Sequence, residues 1–258
     1  MGTEDRFQLH ELEWTSAKIA RFWDFESQNG ANAGNYFTNQ VGDALIRVAR
    51  AHGALTPPVL DYGAGVGYLT ERLVRLGVRC AACDFSPSSV AALNQRLHGH
   101  PAFMGCELLK DLPSALPDQA YGAVFLAETL EHLIPEWRRR TLEEVRRVLK
   151  PGGHLVVTVP FAERMEAASV LCADCGAVFH RVQHVASFDE KSLSAAMAPF
   201  GFAEVCCRPL DLRNWTDEMQ RPGLRLRRCL RRILTRLRMV APRLEATPNL
   251  VYVGIRAG

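Results

Sequence analysis

Val59-Leu60-Asp61-Tyr62-Gly63-Ala64-Gly65-Val66-Gly67-Tyr68 decides the fold: an apolar run ends in an acid, three alternating glycines follow, and Leu69-Thr70-Glu71-Arg72-Leu73 continues in helical style. The pattern predicts a strand, a tight turn and a helix. Glycines at 63, 65 and 67 admit positive φ and let a ligand lie against the main chain with no Cβ between them. The dinucleotide fingerprint G-x-G-x-x-G wants its third glycine at position 68, where Tyr68 stands, and it includes no acid before the turn. A nicotinamide or flavin site is disfavoured.

Moving outward, Gly77-Val78-Arg79-Cys80-Ala81-Ala82-Cys83 reads as the next buried strand and ends in Asp84-Phe85. An acid at the end of the second strand of a βαβ unit is placed to accept hydrogen bonds from ribose hydroxyls. Two more motifs follow in order, Leu126-Ala127-Glu128-Thr129-Leu130-Glu131-His132-Leu133 and Val148-Leu149-Lys150-Pro151-Gly152-Gly153-His154-Leu155. Together the four resemble class I S-adenosylmethionine (SAM)-dependent methyltransferases, in the ubiquinone O-methyltransferase-like, type 11 branch, over roughly residues 55 to 160.

The resemblance implies a Rossmann-like α/β fold of seven strands in the order 3-2-1-4-5-7-6, the last antiparallel, with helices on both faces. It also implies SAM as cofactor. Asp61, Gly63, Gly65 and Gly67 would place the methionine moiety, Asp84 the ribose with Phe85 next to it, and Ala127 and Glu128 would lie beside the bound cofactor. His132 is the candidate general base; the competing reading is a histidine at a helix start, oriented by Glu131. Two positions depart from the family: Gly122 stands where relatives usually carry an acid, and the region Gly105-Cys106-Glu107-Leu108 lacks the usual aspartate.

The remaining elements fit the same scheme. Apolar periodicity predicts helices around 18–25 and 37–52, which by resemblance fold over the cofactor and make Phe22-Trp23-Asp24-Phe25 either a pocket wall or core packing. Ser86-Pro87-Ser88-Ser89 opens a helix with a serine cap and a first-turn proline. Strands are expected at 102–108, 120–127 and 154–159, with a helix at 136–149 between the last two. Ser187-Phe188-Asp189 starts a further helix, and strands six and seven fall at 203–210 and 249–255. Strands alternating with helices imply parallel strands joined by right-handed crossovers.

At 258 residues, 48% hydrophobic and 23% charged, the chain has an ordinary globular composition. We expect one domain over 1–258, with an N-terminal helical cap at 1–54 and inserts at 162–187 and 213–247. No apolar run approaches the roughly 20 residues that span a bilayer. Without a secretory signal, the eight cysteines suggest reduced thiols or metal ligands, and a cytoplasmic location is expected. Cys80 and Cys83 are set aside as ligands, because residues three apart on a strand point to opposite faces.

The first insert carries Cys172-x2-Cys175-x4-His180-x3-His184. Two cysteines turned by a glycine and two histidines four apart supply the donors of a closed tetrahedral zinc site. The expectation is structural zinc bracing one wall of the substrate pocket; the plainer alternative is two free thiols and two surface imidazoles. The second insert carries nine arginines from 221 to 243 and no acid, and subtracting them from the net +3 leaves −6 elsewhere. Leu226, Leu230, Ile233, Leu234, Leu237 and Val240 recur at helical spacing, so an amphipathic helix is expected. It either packs on the domain or contacts an anionic membrane surface; nucleic acid is disfavoured for lack of aromatic interleaving. The function expected is methyl transfer to an oxygen, less readily a nitrogen, of a small-molecule, lipid-linked or glycan acceptor. An RNA methyltransferase and a non-catalytic SAM-binding interaction module are the alternatives.

Overall fold

The computed structural model describes residues 7–29, 34, 36–213 and 248–258. The arginine-rich stretch 221–243 lies outside them. Its centre is a seven-stranded sheet of β2 (Val59–Tyr62), β3 (Cys80–Asp84), β4 (Phe103–Leu108), β5 (Tyr121–Ala127), β6 (Leu149–Pro160), β9 (Phe202–Leu210) and β10 (Asn249–Arg256). In space they run β4-β3-β2-β5-β6-β10-β9. All pairs are parallel except those of β10, which is antiparallel to both β6 and β9. This is the order and polarity expected from the sequence.

Helices cover both faces because side chains alternate across each strand. Val59, Ala123 and Phe125 join one core with Leu45 and Ile46 of α2 (Phe37–Ala51), Leu69 and Leu73 of α3 (Tyr68–Arg75), and Leu93 and Leu97 of α4 (Pro87–Leu97). Leu60, Val124 and Leu126 turn the other way, to Leu142 and Val145 of α5 (Pro135–Val148) and Leu193 and Met197 of α6 (Glu190–Met197). Cys80 belongs to the first core and Cys83 to the second, as their spacing required. Asp189 caps α6 in a reciprocal capping box with Ser192, and Ser86 caps α4, with Pro87 in its first turn. Gly122 has a packing reason: a Cβ there would lie 2.5 Å from the Thr56 carbonyl oxygen.

The N-terminal cap and the first insert form one unit. The insert folds as a hairpin of β7 (Ser169–Leu171) and β8 (Ala177–His180), and β1 (His10–Glu11) adds to β8 in parallel, giving a small sheet β1-β8-β7. Trp14 packs edge-on against Phe179 at 5.9 Å and against Phe22 of α1 (Ser16–Gln28) at 5.8 Å. No helix among the described residues is long and apolar enough to cross a membrane.

Gly67 tests the turn's packing against the sheet. It is the N-cap of α3 at φ 80, and a Cβ there would lie 2.3 Å from Leu93 Cδ1, a fully buried side chain. Gly99 has a similar φ of 77 with open space around it. Gly99→Ala should therefore cost only the backbone penalty, about 1 kcal/mol, and Gly67→Ala about 2 kcal/mol or more, since an overpacked core adds to it. Urea denaturation of both variants checks this; equal losses would refute the contact.

Candidate functional site

A cavity of about 340 Å³ opens at the carboxyl ends of β2, β3 and β5, where the strand order reverses and open α/β sheets take their ligands. Its size falls in the roughly 300–1,000 Å³ range of small-molecule pockets. The floor is the glycine turn. Gly63 and Gly65, at φ 74 and 53, line it, and a Cβ at Gly65 would meet only the edge of Tyr36 at 3.8 Å. Gly67 does not line the cavity; its Cα faces Leu93.

Two buried carboxylates pin this turn. Asp61 Oδ2 accepts hydrogen bonds from the Thr70 N–H at 3.0 Å and the Thr70 hydroxyl at 2.6 Å. Gly67, the cap residue, has no side chain to satisfy the first N–H groups of α3, so an acid from the preceding strand does it, in a place the helix dipole favours. Such a cap contributes about 1 kcal/mol. Burial outweighs those bonds and raises Asp61 to about 6. Asp84 Oδ2 accepts from the Gly65 N–H and Oδ1 from the Ser86 N–H, both at 2.8 Å; burial raises it as well. Asp61, Asp84 and Phe85 all border the cavity.

Ala127 and Glu128 border it from β5. Glu128 adopts φ 51, a left-handed conformation that costs a residue with a Cβ about 1–3 kcal/mol. Its N–H donates to the Thr158 carbonyl at 2.9 Å and Asn249 Nδ2 donates to its Oε1 at 3.2 Å. Burial drives its carboxyl up to about 8, against the lowering effect of Thr158 and Asn249.

The opposite wall comes from the cap and the insert. His132, at the end of a short 3-10 turn, Leu130–His132, lies edge-on to Trp23 at 4.6 Å and to His184 at 4.7 Å. Its Nδ1–H donates to the Gln183 carbonyl at 3.4 Å, which leaves Nε2 with the lone pair. Nε2 is 3.9 Å from Glu131 Oε1, beyond hydrogen-bond reach, so Gln183 and not Glu131 orients the ring. Burial, then the neighbouring His184, holds His132 well below the usual histidine range; it is a neutral imidazole at neutral pH.

Gln183 ties this wall together: Trp23 Nε1 donates to its Oε1 at 2.7 Å, and its Nε2 donates to the His132 carbonyl at 2.9 Å. Trp23 is thus the pocket wall within the aromatic cluster, while Phe22 packs on Trp14 and Trp23 and Phe25 is 66% exposed.

The structure does not gather the four expected zinc ligands into one group. Cys172 lies at the hairpin tip, its N–H on the Ala177 carbonyl, whereas His180 pairs with Ser169 at the other end. Three strand residues at about 3.3 Å each set their backbones about 10 Å apart, and among the described residues no group of three donors within 4.8 Å of one another includes either thiol. The N–H groups of Cys175 and Asp174 point at the Cys172 thiol and lower it. His180 and His184 instead meet Glu163, and His184 also meets Glu131 and His132. Glu163, Gln183 and the Glu163–His184 pairing were not among the residues singled out from the sequence; left-handed φ at Ala162 and Gln183 has no sequence signature.

Comparisons agree with the fold. Residues 60–157 match the family described as methyltransferase domain. An uncharacterized methyltransferase of Mycobacterium tuberculosis is 38% identical over 97 residues, covering 38% of this chain and 37% of that protein. A ubiquinone biosynthesis O-methyltransferase of Xanthomonas oryzae is 31% identical over 157 residues, covering 59% of this chain and 61% of the relative. The matches thus span between about a third and three fifths of these relatives' length. Among solved structures, the Burkholderia thailandensis 1,6-didemethyltoxoflavin-N1-methyltransferase, with S-adenosylhomocysteine bound, superposes at TM-score 0.61 and 16% identity over 97% of this chain and 94% of its own. The [4+2]-cyclase SpnF superposes at 0.59 and 17% identity over 97% and 98%. The chain has the Rossmann-like fold of SAM-dependent methyltransferases, a fold that by itself does not choose the chemistry.

Glu128 gives the site a pH signature. Its folded value of about 8 stands above the ordinary 4.5, so between those limits the folded chain holds a proton that the unfolded chain has lost. Stability then falls as pH rises through that window, by up to about 1.4 kcal/mol per unit. Glu128→Gln removes this slope, and its denaturation midpoint should climb relative to the parent protein from pH 4.5 to pH 8. Parallel profiles would contradict the buried, protonated Glu128.

Proposed function

We propose that this protein is a SAM-dependent methyltransferase that delivers the methyl group to an oxygen of a small-molecule, lipid-linked or glycan acceptor. One observation carries the reading: the turn, Asp84 and Glu128 form one wall of a cavity whose other wall presents His132 as a neutral imidazole with a free Nε2.

The residues fit the cofactor. Gly63 and Gly65 offer a cradle without side chains, and any Cβ at Gly63 would lie 2.8 Å from Thr129 Cγ2. Asp84 presents a carboxylate suited to ribose hydroxyls, while Ala127 and Glu128 lie across from it. SAM, when bound, supplies an electrophilic methyl on a sulfonium and leaves as S-adenosylhomocysteine. The chain's own work is proximity and alignment: the pinned turn fixes the donor side, and Trp23 and Val182 close the acceptor side. His132 Nε2 would take the proton from an acceptor hydroxyl, and its Nδ1–H would keep the Gln183 carbonyl throughout.

The lipid-linked version rests on placement as well as composition. Leu210 of β9 pairs with Asn249 of β10, and Asn249 in turn with Pro160 at the carboxyl end of β6. The chain therefore leaves for the arginine-rich stretch and returns from it on the cavity's side of the sheet. Peripheral contact with an anionic membrane through 221–243 would present the cavity to a lipid-borne acceptor. Neutralising Arg225, Arg227, Arg228, Arg231 and Arg232 should abolish flotation with anionic liposomes and leave S-adenosylhomocysteine binding intact; unchanged flotation would remove the lipid version.

His132→Asn tests the base. With a competent acceptor, kcat should fall by about 10²–10⁴, the usual contribution of general acid–base catalysis, with S-adenosylhomocysteine affinity by calorimetry unchanged. A full-speed variant would exclude His132, and failure of the parent protein to bind SAM or S-adenosylhomocysteine would overturn the methyltransferase reading itself.

A further inference from the structure

The insert's two histidines, separated from the cysteines, build a different constellation at the cavity's edge. Glu163 follows β6, His180 ends β8, and His184 lies beyond the turn at 181–183. One donor atom from each lies within 4.8 Å of the other two. The Glu163 carboxylate sits between the imidazoles: one oxygen is bonded to His184 Nδ1, and the other is 3.5 Å from His180 Nε2. The rings stack 13° from parallel with centroids 4.5 Å apart.

Packing alone does not account for this corner. His180 is only 5% exposed, and its Nε2 is without a hydrogen-bond partner among the described residues. Buried imidazole nitrogens normally find partners, and this one is aimed at a carboxylate that stops short of it. The residues just before Glu163 and His184, Ala162 at φ 46 and Gln183 at φ 60, hold left-handed conformations, so the backbone is bent on both sides to bring these donors together. Strain of this kind gathers at functional sites.

We infer that Glu163, His180 and His184 form a site for one first-row divalent cation, such as Zn²⁺, Co²⁺, Fe²⁺ or Mn²⁺. Two imidazole nitrogens and one carboxylate oxygen are the donor set that holds such ions with coordination positions left open. His184 lines the cavity, so the open positions lie on the side where an acceptor oxygen would enter, next to the His132 ring. This differs in kind from a closed Cys2His2 site: no thiolate takes part, and the ion can receive a ligand. Loading displaces the proton that Glu163 and His184 share. It also needs the Nε2 lone pair of His180, so that proton moves to Nδ1, and the 3.3 Å bond that Nδ1 accepts from the His184 N–H is given up.

The test uses chelator-treated full-length protein titrated with Co²⁺ and, separately, loaded with Zn²⁺ for elemental analysis after gel filtration. One ion per chain is expected, with visible d–d bands and no thiolate charge-transfer band. Glu163→Gln and His180→Ala should each weaken Co²⁺ binding by more than the roughly 10–100-fold that loss of an outer-shell partner costs, and Cys172→Ser with Cys175→Ser should leave it unchanged. Thermal melts of each variant report the fold, and if His180→Ala fails to fold, the isosteric Glu163→Gln carries the test. Absence of stoichiometric binding, retained affinity in folded Glu163→Gln, or loss of binding in the cysteine double variant would overturn the site. Because metal uptake is read without turnover, a metal-binding protein that takes no SAM would overturn only the methyltransferase reading, and a SAM-binding protein that takes no metal only this one.

Discussion

The hydrogen bond from the Gly65 N–H to Asp84, with its counterpart from Thr70 to Asp61, is the constraint on which the rest of the structure depends. A turn with three glycines has the largest conformational entropy to lose on folding, and left alone it would offer a ligand no fixed surface. Two acids at the ends of adjacent strands remove that freedom, one by tying the turn to β3 and one by capping the helix that leaves it. Both sit in a buried place that raises their pKa. The molecule thus accepts an electrostatic cost in order to hold the floor of its cavity still, as preorganised sites do.

The opposite wall is assembled on another principle. The N-terminal segment, the helix it leads into and the hairpin after β6 are far apart in the chain, yet they form one small sheet and one aromatic cluster over the cavity. Gln183, fully buried and left-handed, ties the insert to α1 through Trp23 and to the turn after β5 through His132, with its two side-chain bonds and its carbonyl. One wall of the cavity is therefore built on the sheet, and the other on additions to it. Such additions are where members of one fold come to differ in chemistry, as the likeness to both a methyltransferase and a cyclase illustrates.

Much of this was legible in the residues because it is local. Alternation along Leu60 to Tyr62 and along Val124 to Leu126, the capping residues Ser86 and Asp189, and the turn at 63–67 each carry their geometry within a few positions. The order of the strands followed from a resemblance resting on four such motifs, and the structure has that order. His132 and Glu128 could be named because they belong to one of those motifs; that Glu128 is left-handed and His132 held by Gln183 could not.

The sequence by itself determined the strand-turn-helix unit, the acids that end its strands and the parallel sheet that repeats it. Tertiary structure alone decided which residues face one another across the cavity. Spacing suggested that Cys172, Cys175, His180 and His184 meet, but an extended hairpin carries the two pairs to opposite ends, and Glu163 arrives from the far side of the insert to take the histidines. Periodicity fixes which way a side chain points along its own element; only the packing of distant segments fixes what it points at.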